Sequence, residues 1–207
     1  MEKKITTLFL DIGGVLLSNG WGHESRDLAA AKFNLDSLEI EARHKLTFNT
    51  YELGKLTLDE YLNRTVFYKE RNFTKDAFRE FMFAQSTAYP EMIEMIIALK
   101  KKYRLKIAVV SNEGRELNAY RIQKFNLTAF IDFFISSSFV HFSKPDIDIF
   151  RVALDIAQVD AKEVLYIEDQ PMFISIAESL GIKGIRHTDY RSTCKQLESF
   201  DLKINHD

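Results

Sequence analysis

Five runs of strand length punctuate this chain: Ile5–Leu10, Leu105–Val110, Phe133–Ser136, Val164–Ile167 and Gly184–His187. Most are apolar throughout rather than alternating. A strand with one wet face alternates polar and apolar residues, whereas a strand covered on both faces does not. Such runs therefore belong in a parallel sheet sandwiched between helices. The intervals carry helix-period segments at Pro90–Tyr103, Gly114–Phe125, Pro145–Ala157 and Pro171–Leu180. The first opens on a proline and closes on Lys100-Lys101-Lys102, which suits the two ends of a helix dipole; the last stops before Gly181, a C-terminal cap. Strand–helix alternation at this spacing predicts an α/β fold built on a doubly wound, Rossmann-like parallel sheet.

One interval breaks the rhythm. Residues 19–89 contain only helical pattern, with helices expected near Ser25–Phe33, Asp36–Phe48, Thr57–Tyr68 and Thr74–Gln85. Asp36 and Thr74 are suitable N-caps, and Thr57-Leu58-Asp59-Glu60 reads as a capping box. The chain is thus expected to divide into a core domain, residues 1–18 and 90–207, and an inserted α-helical domain, residues 19–89. The aromatics of the insertion, among them Phe33, Phe48, Tyr51, Phe67, Phe73, Phe78 and Phe81, are its expected core.

Composition limits the function classes. With 207 residues, 46% hydrophobic and 28% charged, the chain is globular and long enough for a sizeable core. A net charge of −2 gives no electrostatic reason to expect nucleic acid or an anionic membrane as partner. Cys194 is the only cysteine, so an intrachain disulfide and a Cys-rich zinc site are excluded. Glu2-Lys3-Lys4 followed by Ile5–Leu17 imitates a signal peptide, but Asp11 interrupts the apolar run and no cleavage pattern follows. A soluble, cytoplasmic protein, monomeric or homodimeric, is expected.

In an open parallel sheet the C-terminal strand ends share one edge, and ligands bind there. The polar signals fall at those ends: Asp11 after the first run, Ser111-Asn112 after the second, Glu168-Asp169 after the fourth, and Lys144-Pro145 in the segment after the third. Three carboxylates in one crevice need compensating charge. A divalent cation and Lys144 would balance them, and the oxygen-rich donor set favours Mg²⁺ over zinc. An aspartate needs no base to act as a nucleophile. A phosphoryl group fits as electrophile, with Lys144, the Ser111 hydroxyl and loop N–H groups meeting its oxygens. Gly13-Gly14 removes side chains where the backbone approaches metal and substrate.

This arrangement resembles the haloacid dehalogenase-like (HAD) hydrolase superfamily over nearly the whole chain. The four family motifs map onto Asp11-Ile12-Gly13-Gly14-Val15, Val110-Ser111-Asn112, Lys144-Pro145-Asp146 and Ile167-Glu168-Asp169, in order. The helical insertion has the placement of a type 1 cap, and Tyr51-Glu52-Leu53-Gly54-Lys55-Leu56-Thr57 resembles a stretch common in such caps. The resemblance implies Asp11 as nucleophile, forming an aspartyl intermediate. It implies Mg²⁺ held by Asp11, the Gly13 main-chain carbonyl and Asp169, with Glu168 in support. Ser111, Asn112 and Lys144 would hold the transferring group.

One departure bears on mechanism. Family phosphatases carry an acid/base Asp two residues after the nucleophile, and here that position is Gly13. Three readings follow: a phosphatase whose leaving group needs little protonation, such as a sugar 1-phosphate; a 2-haloacid dehalogenase, since halide leaves without a proton; and a phospho-ligand binding protein with little turnover. The first is the expectation, because Glu168-Asp169 favours a metal that an organic-acid pocket would not need. His23, in Asn19-Gly20-Trp21-Gly22-His23, is either a substitute proton donor near the leaving group or a polar residue of the hinge. Trp21 either touches substrate or packs at the seam.

Overall fold

The computed structural model describes residues 4–203; Glu2 and Lys3 of the charged N-terminal segment lie outside them. The order is β1 (Thr7–Leu10), α1 (His23–Phe33), α2 (Ser37–Glu52), α3 (Leu58–Thr65), α4 (Lys75–Ala84) and α5 (Pro90–Tyr103). Then come β2 (Lys106–Ser111), α6 (Arg115–Lys124), β3 (Phe133–Ser136), α7 (Ser137–Val140) and α8 (Asp148–Ala157). The chain closes with β4 (Val164–Glu168), α9 (Pro171–Ser179), β5 (Lys183–Arg186) and α10 (Tyr190–Glu198).

The five strands form one sheet in the order β3-β2-β1-β4-β5, and every neighbouring pair is parallel. The two-residue period of the strands divides their side chains between two cores. Leu8, Leu10, Ile107, Val109, Leu165 and Ile167 face Met92, Met95, Ile96 and Leu99 of α5 and Leu197 of α10. Phe9, Ala108, Val110 and Tyr166 face Ile149, Phe150 and Ala153 of α8 and Ala177 of α9. Both faces are dry, which is why these strands read as continuous apolar runs. Among the described residues no helix is long and apolar enough to cross a membrane.

The helices between β1 and β2 gather a third core: Trp21, Tyr51, Tyr61, Leu62, Phe78 and Met82, joined by Leu117 of α6. Their start signals act as expected. Asp36 accepts from the Glu39 N–H, Thr74 from the Ala77 N–H, and Thr57 with Glu60 closes a reciprocal capping box. The two chain crossings to this insertion run side by side. The Ser18 N–H donates to the Thr87 carbonyl at 2.8 Å, the Thr87 N–H to Ser18 Oγ at 3.0 Å, and Leu17 bridges Ala88.

Expected helix bounds need correction, and α2 first: it runs on to Glu52 rather than ending at Phe48. Pro145 does not start a helix: α8 begins at Asp148, where the Asp146 carboxylate accepts the Asp148 N–H, leaving Lys144 and Pro145 in a loop. α3 ends at Thr65 rather than Tyr68, because the N–H groups of Val66 and Phe67 converge on the Leu62 carbonyl and close the helix. α10 was not anticipated, although Tyr190, Cys194 and Leu197 recur at helical spacing behind an Asp189 cap.

His44 on α2 makes the insertion sensitive to acid. Its ring lies 4.4 Å from Phe48, and its Nδ1 is 2.8 Å from the Tyr61 hydroxyl. Burial, with help from Arg26, pulls its pKa down to about 4. The unfolded chain then binds the proton more readily than the folded one, so stability is complete above about pH 6.5 and is lost as pH falls toward 4. Urea unfolding of His44→Gln is expected to lose about 1 kcal/mol less than the parent chain between pH 7 and pH 5.

Candidate active site

The strand order puts β1 at the centre, flanked by β2 on one side and β4 on the other. Residues that follow these three strands therefore meet. Asp11 leaves the end of β1, and its N–H donates to the Ile167 carbonyl of β4 at 3.0 Å. Glu168 and Asp169 leave the end of β4. Carboxylate oxygens of Asp11, Glu168 and Asp169 all lie within 4.8 Å of one another.

Lys144 enters this cluster from the loop before α8. It is 3% exposed, so it is not a solvated lysine. Its Nζ lies 2.7 Å from Glu168 Oε2, 3.1 Å from Asp11 Oδ1 and 3.0 Å from the Tyr166 hydroxyl. Burial alone would lower its pKa, but Asp11 and Glu168 outweigh that effect and the net direction is upward. Lys144 is held as a cation. Tyr166 in turn donates to Glu168 Oε2. The contact is legible in hindsight: residues two apart on a strand share a face, so Tyr166 and Glu168 point the same way.

The carboxylates exceed the available positive charge. Burial pushes the Asp11 carboxyl up while Lys144 and the Ser111 hydroxyl pull it down, and the net direction is upward. Glu168 is also raised, first by burial and further by sharing a hydrogen bond with Asp169. An all-oxygen donor set with one lysine for three carboxylates fits a hard divalent cation. Gly14 provides a second sign of a close approach. Its φ of +75° suits glycine, and a Cβ there would stand 2.7 Å from Asp169 Oδ2.

The other residues anticipated from the sequence fall as follows. Ser111 is buried at the end of β2, with its hydroxyl toward Asp11. Asn112 lines the cavity, but its carboxamide is bound to the Lys144 main chain in both directions, each bond 2.8 Å. It shapes the lysine loop. His23 opens α1 at the cavity edge, where its ring lies near Asp27 (3.4 Å) and Glu41 (3.5 Å). Trp21 is buried and donates from Nε1 to the Tyr61 hydroxyl, so much of its ring is packed in the insertion. Gly13 borders the same cavity of about 430 Å³, which Tyr51, Glu52, Glu113 and Phe173 also line. Glu113 and Arg121 form a fully buried pair beneath it that the sequence reading missed.

Replacing Lys144 by Met would leave the carboxylate cluster without its buried cation. Urea unfolding at pH 7 is expected to show a loss of roughly 3–5 kcal/mol. The loss should shrink near pH 5, where carboxyls with raised pKa values take up protons instead.

Comparison with known proteins agrees with this fold. The family model described as haloacid dehalogenase-like hydrolase matches residues 34–186. A protein named "Putative pyrophosphatase PpaX" from Caldanaerobacter subterraneus subsp. tengcongensis is 23% identical over 145 residues. That match covers 65% of this chain and 66% of the relative, just under two thirds of its length. Among solved structures, the HAD family enzyme bt-2542 of Bacteroides thetaiotaomicron, in complex with magnesium and inorganic phosphate, is similar at a TM-score of 0.75 and 20% identity. The alignment covers 88% of this chain and 93% of that one. The L-2-haloacid dehalogenase of Xanthobacter autotrophicus, with chloropropionic acid covalently bound, is similar at a TM-score of 0.63 and 16% identity, over 97% and 85% of the two chains. At these identities the structures speak for the fold, while the family match spans most of the sequence. The chain belongs to the haloacid dehalogenase-like hydrolases.

Proposed function

We propose that this hydrolase is a Mg²⁺-dependent phosphatase that acts on a small phosphorylated metabolite, sugar phosphates among the candidates. The observation that supports it most is the cluster of Asp11, Glu168 and Asp169 around a single buried lysine. A pocket for a halogenated organic acid has no use for two further carboxylates beside the nucleophile. A phosphoryl group held through a divalent cation does.

Asp11 and Asp169, with the Gly13 carbonyl, would hold Mg²⁺, and Glu168 would support it. When bound, the ion supplies charge neutralisation for the phosphoryl oxygens. The remaining chemistry belongs to the chain. Asp11 attacks phosphorus, the alcohol departs, and water hydrolyses the aspartyl-phosphate. Lys144 faces the developing charge as a permanent cation, and the Ser111 hydroxyl donates a hydrogen bond to a phosphoryl oxygen. Residues 19–89 act as a cap: they exclude bulk water during the first step and provide the contacts that select the substrate.

Phosphate release from an aryl phosphate is the direct test. The expected result is Mg²⁺-dependent turnover, abolished in Asp11→Asn and reduced by roughly 10²- to 10³-fold in Lys144→Met. Chloride release from 2-chloro acids without added metal would replace this reading with the dehalogenase. Tight phosphate binding with no turnover of any ester would replace it with a binding protein. Independently of activity, Mg²⁺ should raise the melting temperature of the parent chain and fail to do so in Gly14→Ala, whose Cβ would crowd Asp169.

A further inference from the structure

The phosphatase reading leaves one proton without a carrier. An alkoxide leaving group needs protonation, and general acid help is worth roughly 10²- to 10⁴-fold. Gly13 offers no side chain. The space beside it is already held by Asn19, whose Oδ1 lies 2.9 Å from where a Cβ at position 13 would stand, and a carboxamide is no acid. Of the other titratable side chains that line the cavity, Glu113 is paired with Arg121, Arg26 with Glu41, His23 lies near Asp27 and Glu41 at the rim, and burial pushes the Tyr51 hydroxyl still further above its ordinary range. Among the described residues Glu52 has no ion-pair partner within 4 Å.

The fold places Glu52 with care. It is the last residue of α2, so the tip of the insertion carries it to the edge of the sheet. Three contacts dock that tip on the core. Ser137 Oγ donates to the Glu52 carbonyl at 2.7 Å, and His141 Nδ1 lies 2.8 Å from the Leu53 carbonyl. Gly54, with φ of +69°, rests against the Ser138 carbonyl so closely that a Cβ would overlap it. Glu52 consequently lines the same cavity as Asp11, Ser111, Lys144 and Asp169.

We infer that Glu52 is the general acid of this enzyme, and then its general base, delivered from the cap in place of the side chain that Gly13 lacks. This assignment rests on the phosphatase reading above. In the first step Asp11 Oδ forms a bond to phosphorus, and the bond from phosphorus to the ester oxygen breaks with its electron pair on that oxygen. The oxygen takes the Glu52 proton and leaves as the alcohol. In the second step the Glu52 carboxylate removes one proton from water as the water oxygen bonds to phosphorus. The bond from phosphorus to Asp11 breaks with its pair on Asp11, and inorganic phosphate departs.

The electrostatics suit this task. Burial, reinforced by Glu113 and Asp11 and opposed by Lys144, pushes the Glu52 pKa up to about 7. The charged and titratable groups around it are Asp11, Glu113, Lys144 and Asp169 across the cavity, His23 and Arg26 at its rim, and Glu41, His44 and Lys45 on its own helix. Arg115 and His141 flank the docked tip through bonds to the Ser138 and Leu53 carbonyls. A carboxyl that titrates near neutrality is protonated for the first step and regenerated by the second.

The test compares Glu52→Gln with the parent enzyme on an alkyl phosphate and on a nitrophenyl phosphate, whose leaving group needs little protonation. The alkyl ester is expected to lose 10²-fold or more, and at least tenfold more than the aryl ester. The alkaline fall of kcat/KM near pH 7 should disappear in Glu52→Gln and persist, at lower rate, in Glu52→Asp. Carbon-13 NMR of labelled glutamate should show one carboxyl titrating near pH 7 that is absent from Glu52→Gln. Equal losses on both esters, no loss on either, or a Glu52 midpoint below pH 5 would overturn the assignment and leave the phosphatase reading standing. A parent enzyme inactive on both esters would overturn both.

Discussion

A lysine ammonium buried between two carboxylates governs this site. Lys144 is nearly sealed from solvent, and three oxygen partners from β1 and β4 surround its Nζ. Either sign of charge alone at that depth would be prohibitive, and removal of one partner leaves the other uncompensated. The demand extends outward. The lysine must arrive at a fixed height above the sheet, so Asn112 at the end of β2 grips its main chain by both N–H and C=O. Tyr166, on the same face of β4 as Glu168, fixes the Nζ end. Three strands and a loop are thereby coupled through one side chain.

The sheet order explains why this works with such short connections. β1 is central, so its C-terminal residue has neighbours on both sides. Asp11 sits at that centre, the Ser111 hydroxyl on one flank and the Glu168-Asp169 pair on the other. Chemistry distributed over more than 150 residues of chain needs no long loops to assemble. The insertion covers the same edge and contributes its own wall, Tyr51 and Glu52 among its lining residues.

How much of this could be read from the residues depended on the range of the interaction responsible. The strands were legible because burial on both faces imposes a local apolar run, and the helix starts because caps act within three residues. Asp11 stood out because a carboxylate in an apolar run demands a partner. Longer-range features were not legible. The grip of Asn112 on the Lys144 backbone joins residues far apart in sequence, and Asn112 by itself reads as turn chemistry. The Glu113–Arg121 pair spans only eight residues, yet Arg121 also donates to the carbonyl of Ser18, far away in sequence. Pro145 looked like a helix start because proline is at home there, but it stays in the loop, where the Asp146 carboxylate accepts the Asp148 N–H as α8 begins. The short α10 lacked a long apolar stripe; its two faces are decided by packing against α5, where Cys194 Sγ meets Met95 Sδ at 3.6 Å.

The paired crossings at Ser18 and Thr87 carry a consequence for how the molecule opens. Two lengths of chain bonded to each other would act as a single axle for any swing of the insertion, rather than as two separate tethers. Such a swing spares the bonds at the axle and concentrates its cost at the far end, where Ser137 holds the Glu52 carbonyl. Product escape and the withdrawal of that carboxyl from the chamber would then be one motion.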